Sequence, residues 1–185
     1  MLERESGSRG YSVWDPLVRV FHWSLVLTVL LAWLTRHGGG AWHEWLGYAV
    51  LALVALRLVW GFTGPPYARF GQFMRRPSAT LGYASSVIAG REPRYLGHNP
   101  LGGWMIVALL TAVTAAGLTG WLYTTDEFWG VEWMEGLHEA CAITVLALAG
   151  VHVAGVLFSS WRHRENLVAA MLSGRKRAPD KDDVT

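Results

Sequence analysis

Charged residues and cysteines are both scarce in this sequence. Asp, Glu, Lys and Arg make up 16% of its 185 residues, whereas an ordinary soluble domain has roughly a quarter. The single cysteine, Cys141, excludes an internal disulfide, a cysteine-rich zinc site and an iron–sulfur cluster bound by cysteines of this chain alone. Hydrophobic residues reach 52%, and the composition therefore indicates a membrane protein.

Four apolar runs are long enough to cross a bilayer, which takes roughly 20 helical residues. They cover residues 15–35, 42–62, 101–123 and 134–161. Many of the tryptophans lie near the ends of these runs, as in the aromatic belts that anchor helices at the membrane surface. The sequence therefore predicts an all-α membrane protein, a four-transmembrane-helix bundle made by one domain of residues 1–177.

Two further segments lie outside the predicted spans. The link between the second and third spans, residues 63–100, contains the weakly apolar stretch 79–89, which predicts a short interfacial helix. Residues 178–185 are rich in charge and are expected to form a disordered tail.

Basic residues are distributed very unevenly between the loops. Of the 16 Lys and Arg residues, Arg36 alone lies in a loop on the second side of the membrane, and Arg57 lies inside the second span. The others flank the spans on the side of the two termini. Because basic loops stay in the cytoplasm, both termini are predicted to be cytoplasmic.

Four histidines, His22, His43, His138 and His152, lie within or at the ends of the predicted spans. A histidine at membrane depth is costly and indicates a functional site. The predicted topology places His43 and His138 near the outer surface, and His22 about two turns in from the cytoplasmic surface. One such histidine alone is more often a polar anchor than a ligand, and a proton relay or transporter is the alternative for the set.

The spacing within the fourth span pairs these histidines by depth. His152 follows His138 by 14 residues, which corresponds to about 21 Å along a helix and a rotation only about 40° short of four turns. His43 can therefore meet His138 at an outer level, and His22 can meet His152 at an inner level. Each pair can supply two axial nitrogens to one b-type haem.

Two arginines lie where an inner haem would need a counter-ion. Arg57 follows His43 by 14 residues and therefore lies on the same helical face at the inner level. Arg19 precedes His22 by about one turn; it can pair with a haem propionate, or it can simply extend towards the headgroups.

Several segments resemble the bacterial cytochrome b561 and nickel-iron hydrogenase cytochrome b family. They are residues 14–23 (WDPLVRVFHW), His43, residues 57–61 (RLVWG), residues 97–103 (GHNPLGG), and His138 with His152. The resemblance covers about residues 11–177. It implies a four-helix cytochrome of the bacterial inner membrane with two b haems, whose four ligands map onto His22, His43, His138 and His152.

The resemblance also implies a function, the transfer of electrons between membrane quinone and a redox partner on the outer face. An acidic loop beside exposed aromatic residues suits a basic partner such as a c-type cytochrome, and a dehydrogenase or hydrogenase subunit is the other candidate. The alternative is a self-sufficient superoxide:ubiquinone oxidoreductase, so whether the protein is an enzyme stays open. Membrane lipid is an expected partner, nucleic acid is not, and a homodimer stays open.

Overall fold

A computed structural model describes residues 10–38 and 40–185 of the chain. Residues 1–9 of the predicted domain, which include the basic residues Arg4 and Arg9, lie outside the described residues, as does Gly39. The described residues form seven α-helices, one short 3₁₀ helix and two very short strands. In chain order they are β1 (Tyr11–Ser12), α1 (Pro16–Leu34), α2 (Ala41–Thr63), a 3₁₀ turn (Pro66–Ala68), α3 (Phe70–Phe73), α4 (Pro77–Ile88), α5 (Pro100–Tyr123), α6 (Glu132–Arg162), α7 (Leu167–Ser173) and β2 (Arg175–Lys176).

The four long helices, α1, α2, α5 and α6, confirm the predicted membrane-protein fold. Each is long and apolar enough to span a membrane, with mean hydropathy between 1.8 and 2.2. Two of them begin at strong sequence signals. The Asp15 carboxylate accepts hydrogen bonds from the first turn of α1, and the Asn99 side chain accepts one from Gly102 N at 2.7 Å at the start of α5. In both helices a proline, which lacks the N–H that the first turn leaves unpaired, follows the cap.

The helix α6 is longer than its predicted span. It contains 31 residues, which corresponds to about 46 Å at 1.5 Å per residue. A hydrocarbon core is only about 30 Å thick. One or both ends of α6 must therefore project beyond the apolar layer, or the helix must tilt strongly.

The core of the bundle lies between the middles of the long helices. Val50 and Val54 of α2 meet Leu110 and Val113 of α5 and Val145 of α6, with α1 side chains packed around them. The helix α2 packs against α1 and α5, and α5 packs against α6. Within the described part of the chain, the contacts of α6 with α1 and α2 are far less extensive than those between α1 and α2, α2 and α5, or α5 and α6. A cleft therefore separates α6 from α1 and α2.

The link between α2 and α5 contains the predicted short helix. The expected segment was residues 79–89, and α4 spans Pro77–Ile88. Leu81 and Ile88 of α4 are largely exposed, in agreement with a helix that lies on a membrane surface. The turn that contains α3 buries Phe73 completely against the bundle.

One end of the bundle, here called the ribbon end, is closed by segments that begin at Tyr11 and at Arg175. The strands β1 and β2 pair antiparallel, with Tyr11 opposite Lys176. Beside this two-stranded ribbon, the carbonyl of Gly174 accepts hydrogen bonds from Val13 N and Trp14 N at 2.9 and 3.1 Å. The opposite end, here called the loop end, carries the α1–α2 turn and the α5–α6 loop.

The segment 178–185, expected to be a disordered tail, instead packs against the link. Val184 N donates to Arg94 O at 2.8 Å, and Leu96 N donates to Val184 O at 3.0 Å. Four buried charges, here called the charge cluster, hold the same region together. They are Arg94, Glu165, Lys176 and Asp183, with Arg94 in ion pairs to both carboxylates and Lys176 Nζ 3.5 Å from Glu165. The charges that made the tail look disordered are thus paired with residues distant in sequence.

Candidate functional site

Two of the predicted ligands, His43 and His138, meet at the loop end. His43 lies in the first turn of α2 and His138 in the second turn of α6. Their ring centroids are 6.0 Å apart, and the ring planes are nearly perpendicular at 79°. The two imidazoles therefore face one another across the cleft between α2 and α6.

Backbone carbonyls fix the orientation of both rings. His43 Nδ1 lies 3.0 Å from Ala32 O, and His138 Nδ1 lies 3.0 Å from Ala116 O. A carbonyl can only accept a hydrogen bond, so each Nδ1 must carry the proton as donor. Each Nε2 is then an unprotonated lone pair, the form in which histidine binds a metal ion.

Two glycines shape the space around this pair. A Cβ atom on Gly120 of α5 would lie 2.9 Å from Cε1 of His138, so only glycine lets the imidazole take its position. Gly47 lies one turn after His43 on the same helical face, and a Cβ atom there would meet no atom within 4 Å. The pair therefore has a tight wall on the α5 side and open space beside α2.

His43 and His138 provide two donor nitrogens, which fit a metal ion whose remaining ligands come from a cofactor. The described residues contain no group of three or more His, Cys, Asp or Glu side chains able to hold a metal ion. Two metal–nitrogen bonds of about 2 Å each are compatible with rings 6.0 Å apart. A haem iron needs only two axial protein ligands because the macrocycle supplies the rest, so His43 and His138 fit a haem.

The second predicted pair, His22 and His152, lies towards the ribbon end on α1 and α6. The two imidazoles are close enough for their charges to interact. His22 packs edge-on against Trp23, with ring centroids 5.0 Å apart. Its Nδ1 is buried and has no hydrogen-bond partner among the described residues. This pair thus spans the same cleft as His43 and His138, with fewer contacts from the chain itself.

Arg57 is buried in α2 at the ribbon end, with only 5% of its surface exposed. Its Nη2 donates to Ala68 O at 3.1 Å, and the guanidinium lies over the Phe70 ring at 4.8 Å. Its Nη1 is buried without a partner among the described residues. A buried cation with a free donor fits the predicted role as counter-ion to a haem carboxylate.

Arg19 is tied to the C-terminal part of the chain. Its Nη2 donates to Leu172 O at 2.6 Å, at the end of α7, and its buried Nε has no partner among the described residues. Trp23 Nε1 donates to the neighbouring Met171 O at 3.4 Å. Arg19 therefore joins α7 to the start of α1, and this contact accounts for the position of its side chain without a propionate.

Sequence reasoning missed the groups that orient the loop-end histidines. They are the carbonyls of Ala32 and Ala116, together with Thr119 and Gly120 of α5. Thr119 Oγ1 lies 3.3 Å from His138 Nδ1. These residues precede their histidines by many positions, and only the packing of neighbouring helices brings them together, so no local pattern marks them.

Comparison with protein families shows to which family the chain is similar. A family model described as Prokaryotic cytochrome b561 matches residues 13–174 of the chain. The match includes all four histidines together with Arg19 and Arg57. Comparison with curated proteins gives no match, and comparison with solved structures gives none either.

Proposed function

Because the chain belongs to the prokaryotic cytochrome b561 family, we propose that it binds two b-type haems and carries electrons between membrane quinone and an outer-face redox partner. Family membership and the four apolar helices make it a multi-pass membrane cytochrome b that acts in electron transfer. The observation that carries the two-haem proposal is the His43–His138 pair, with both Nδ1 atoms on carbonyls and the rings 6.0 Å apart.

Two histidines would hold each proposed haem. His43 and His138 would hold the loop-end haem, and His22 and His152 would hold the ribbon-end haem. When bound, haem iron takes up and releases single electrons at a potential set by its ligands and surroundings. The chain contributes the imidazoles, keeps them in the ligating tautomer at the loop end, and places the Arg57 cation at the ribbon end.

The proposed orientation puts the ribbon end in the cytoplasm and the protein in the inner membrane. The basic residues of the link and of the C-terminal part of the chain surround this end, and the loop end has a single arginine, Arg36. Arg36 lies with its guanidinium 4.0 Å from the Trp33 ring. Quinone reaction is therefore proposed near His152 and the arginines of the link, on the cytoplasmic side.

The loop end offers a surface for a basic redox protein. The α5–α6 loop and the first turn of α6 carry four carboxylates, Asp126, Glu127, Glu132 and Glu135. Trp129 and Trp133 of the same surface are 69% and 61% exposed. An acidic surface attracts a basic partner over long distances, and dissolved salt screens this attraction. If a c-type cytochrome docks there, electron transfer to it must slow as ionic strength rises, and a salt-independent rate would contradict this assignment.

Two measurements on the purified protein test the proposed function. Optical and electron paramagnetic resonance spectra must show two low-spin haems with bis-histidine ligation, and reduction by quinol must be visible in the haem bands. Reduction by superoxide but not by quinol would favour a self-sufficient superoxide:ubiquinone oxidoreductase instead. Haem bands that are absent altogether would contradict the proposal and favour a transport protein.

A further inference from the structure

The ribbon end contains a third histidine, His98, that none of the assignments above uses. We propose that His98 and Arg57 together bind a carboxylate of the ribbon-end haem, with His98 Nδ1 and Arg57 Nη1 as the donors. His98 is then a positioning residue for that haem. This inference rests on the proposed function, because it presupposes a haem between His22 and His152.

The His98 ring is held in place by two aromatic side chains. Its centroid lies 4.6 Å from that of Trp14 and 4.8 Å from that of Phe73, which is itself completely buried. Asn99, the next residue, caps α5 with its side chain. His98 itself is therefore not needed as the cap, and its ring is fixed beside the bundle.

One ring nitrogen of His98 lacks a partner among the described residues. Nδ1 is buried and has no hydrogen-bond partner among the described residues. Natural proteins rarely bury a polar atom without a hydrogen bond, because the atom loses its hydrogen bonds to water and gains none in return. An immobilised ring with a buried, unpaired nitrogen indicates a ligand atom outside the chain.

Arg57 provides a second unpaired donor in the same region. Its guanidinium lies over Phe70, and Phe70 packs against Phe73 with centroids 5.8 Å apart. Phe73 in turn contacts His98. The aromatic pair thus supports both donors, and Arg57 is near enough for its charge to act on His98.

The charge balance favours an anionic ligand. Asp15 is the acidic residue whose charge reaches Arg57. Its Oδ1 already accepts hydrogen bonds from Leu17 N, Val18 N and Trp60 Nε1. A carboxylate would neutralise Arg57 and accept a hydrogen bond from each donor. An uncharged quinone carbonyl could accept a hydrogen bond from Arg57 but would add no negative charge beside it.

His98 is neutral before such a ligand binds. Burial, together with the positive charges of Arg57 and Lys176, lowers the pKa of His98 to about 3. A neutral imidazole still offers one N–H, which suffices for one hydrogen bond to a carboxylate.

Three variants test the proposal in quinone-free protein. H98F removes the donor and keeps a ring between Trp14 and Phe73, H98Q keeps an N–H donor, and H163F is a matched control at the same end of the bundle. The readouts are haem content, resonance spectra, and the midpoint potential of each haem between pH 5 and 9. The ribbon-end haem is assigned by its loss in H152A.

We expect H98F to keep two bis-histidine haems and to lower the potential of the ribbon-end haem, since its carboxylate is less neutralised. The pH-dependent step of that potential moves to higher pH, because the carboxyl group loses a donor that stabilised its charged form. H98Q should shift the midpoint potential and its pH-dependent step in the same directions but by less, and H163F should shift neither quantity. If the H98F protein does not assemble, the comparison of H98Q with wild type tests the proposal.

Unchanged potentials and pH profile in both His98 variants would overturn the proposal. So would a change that appears only when a quinone analogue is added, which would assign His98 to quinone. Failure of the proposed function itself would be visible separately, because wild-type protein would then lack the second bis-histidine haem.

Discussion

The two ends of the bundle hold histidine pairs of the same kind in different surroundings. At the loop end, His43 and His138 each contact a backbone carbonyl through Nδ1, and their rings face one another at 6.0 Å. At the ribbon end, Nδ1 of His22, Nδ1 of His98 and Nη1 of Arg57 are all buried without partners among the described residues. The chain thus orients the loop-end histidines by itself, while the ribbon-end groups leave polar atoms free for the proposed ligand.

The largest effect that tests this comparison is the loss of an axial ligand. H138A is expected to remove the loop-end haem and H152A the ribbon-end haem, because each variant would lose one of the two imidazoles proposed to hold that haem. Each variant should lose about half of the haem per chain in a pyridine haemochrome assay. Loss of both haems from either variant in folded protein would show that the two ends are not independent.

A smaller effect is expected from crowding His138. G120A places a Cβ atom 2.9 Å from His138 Cε1, so the ring must move away from Ala116 O. Changes in the groups that orient a metal ligand cost about 10-fold to 100-fold in affinity. We expect that loss for the loop-end haem alone, measured by haem retention on dilution.

The matched control for this substitution is G136A, in α6 close to His138. A Cβ atom on Gly136 would meet no atom within 4 Å. It should leave haem retention unchanged, and an equal loss in both variants would refute the role of Gly120.

Removing Arg57 should change the potential of one haem and leave the other unchanged. R57L takes a buried positive charge away from the ribbon end, which disfavours the extra electron of reduced haem. We expect the midpoint potential there to fall by roughly 59 mV, the equivalent of a tenfold change for a one-electron couple. R36L, which removes the guanidinium packed on Trp33 at the loop end, serves as control, and an unchanged redox titration of R57L would count against this role.

The smallest effect concerns acid and the charge cluster. Burial alone would raise the pKa of Glu165, but hydrogen bonds and charges from Arg94, the Arg177 N–H and Lys176 outweigh it and lower that pKa below its usual 4.5. A lowered folded-state pKa stabilises the folded protein above the usual pKa, and this stabilisation is lost as pH falls through the lowered value. Hydrogen exchange should therefore show residues 175–185 opening below about pH 4.5, before the loop end changes.

A matched substitution separates this opening from general acid unfolding. E165Q keeps the size of the side chain and removes its charge, so it should open the same residues already at neutral pH. A segment that stays protected in E165Q would show that the cluster does not hold it.

The sequence was sufficient to predict the long helices, but it was not sufficient to predict contacts between distant segments. Long apolar runs and two strong caps determine where α1, α2, α5 and α6 lie, to within a few residues. Helical periodicity also predicted that His43 and His138 lie at one level, since rise and rotation per residue are fixed by backbone geometry, and their ring centroids lie 6.0 Å apart.

The remaining features depend on tertiary packing. Nothing near residues 178–185 indicates that Asp183 pairs with Arg94, because the partner lies 89 residues away. Gly120 looks like any small residue of a membrane helix until α5 and α6 pack. The sequence around His98 did not indicate its proposed role, because that role depends on Phe73 and Arg57, which lie in other elements of the fold.

The link between Arg19 and α7 has a consequence for biosynthesis. Arg19 donates its hydrogen bond to Leu172, which follows it by 153 residues, and Trp14 likewise depends on Gly174. The first helix can therefore enter the membrane early in translation, but its start, next to His22, is secured only after α7 has left the ribosome. We therefore expect the His22–His152 pair to be completed after the His43–His138 pair, whose last member, His138, is made earlier.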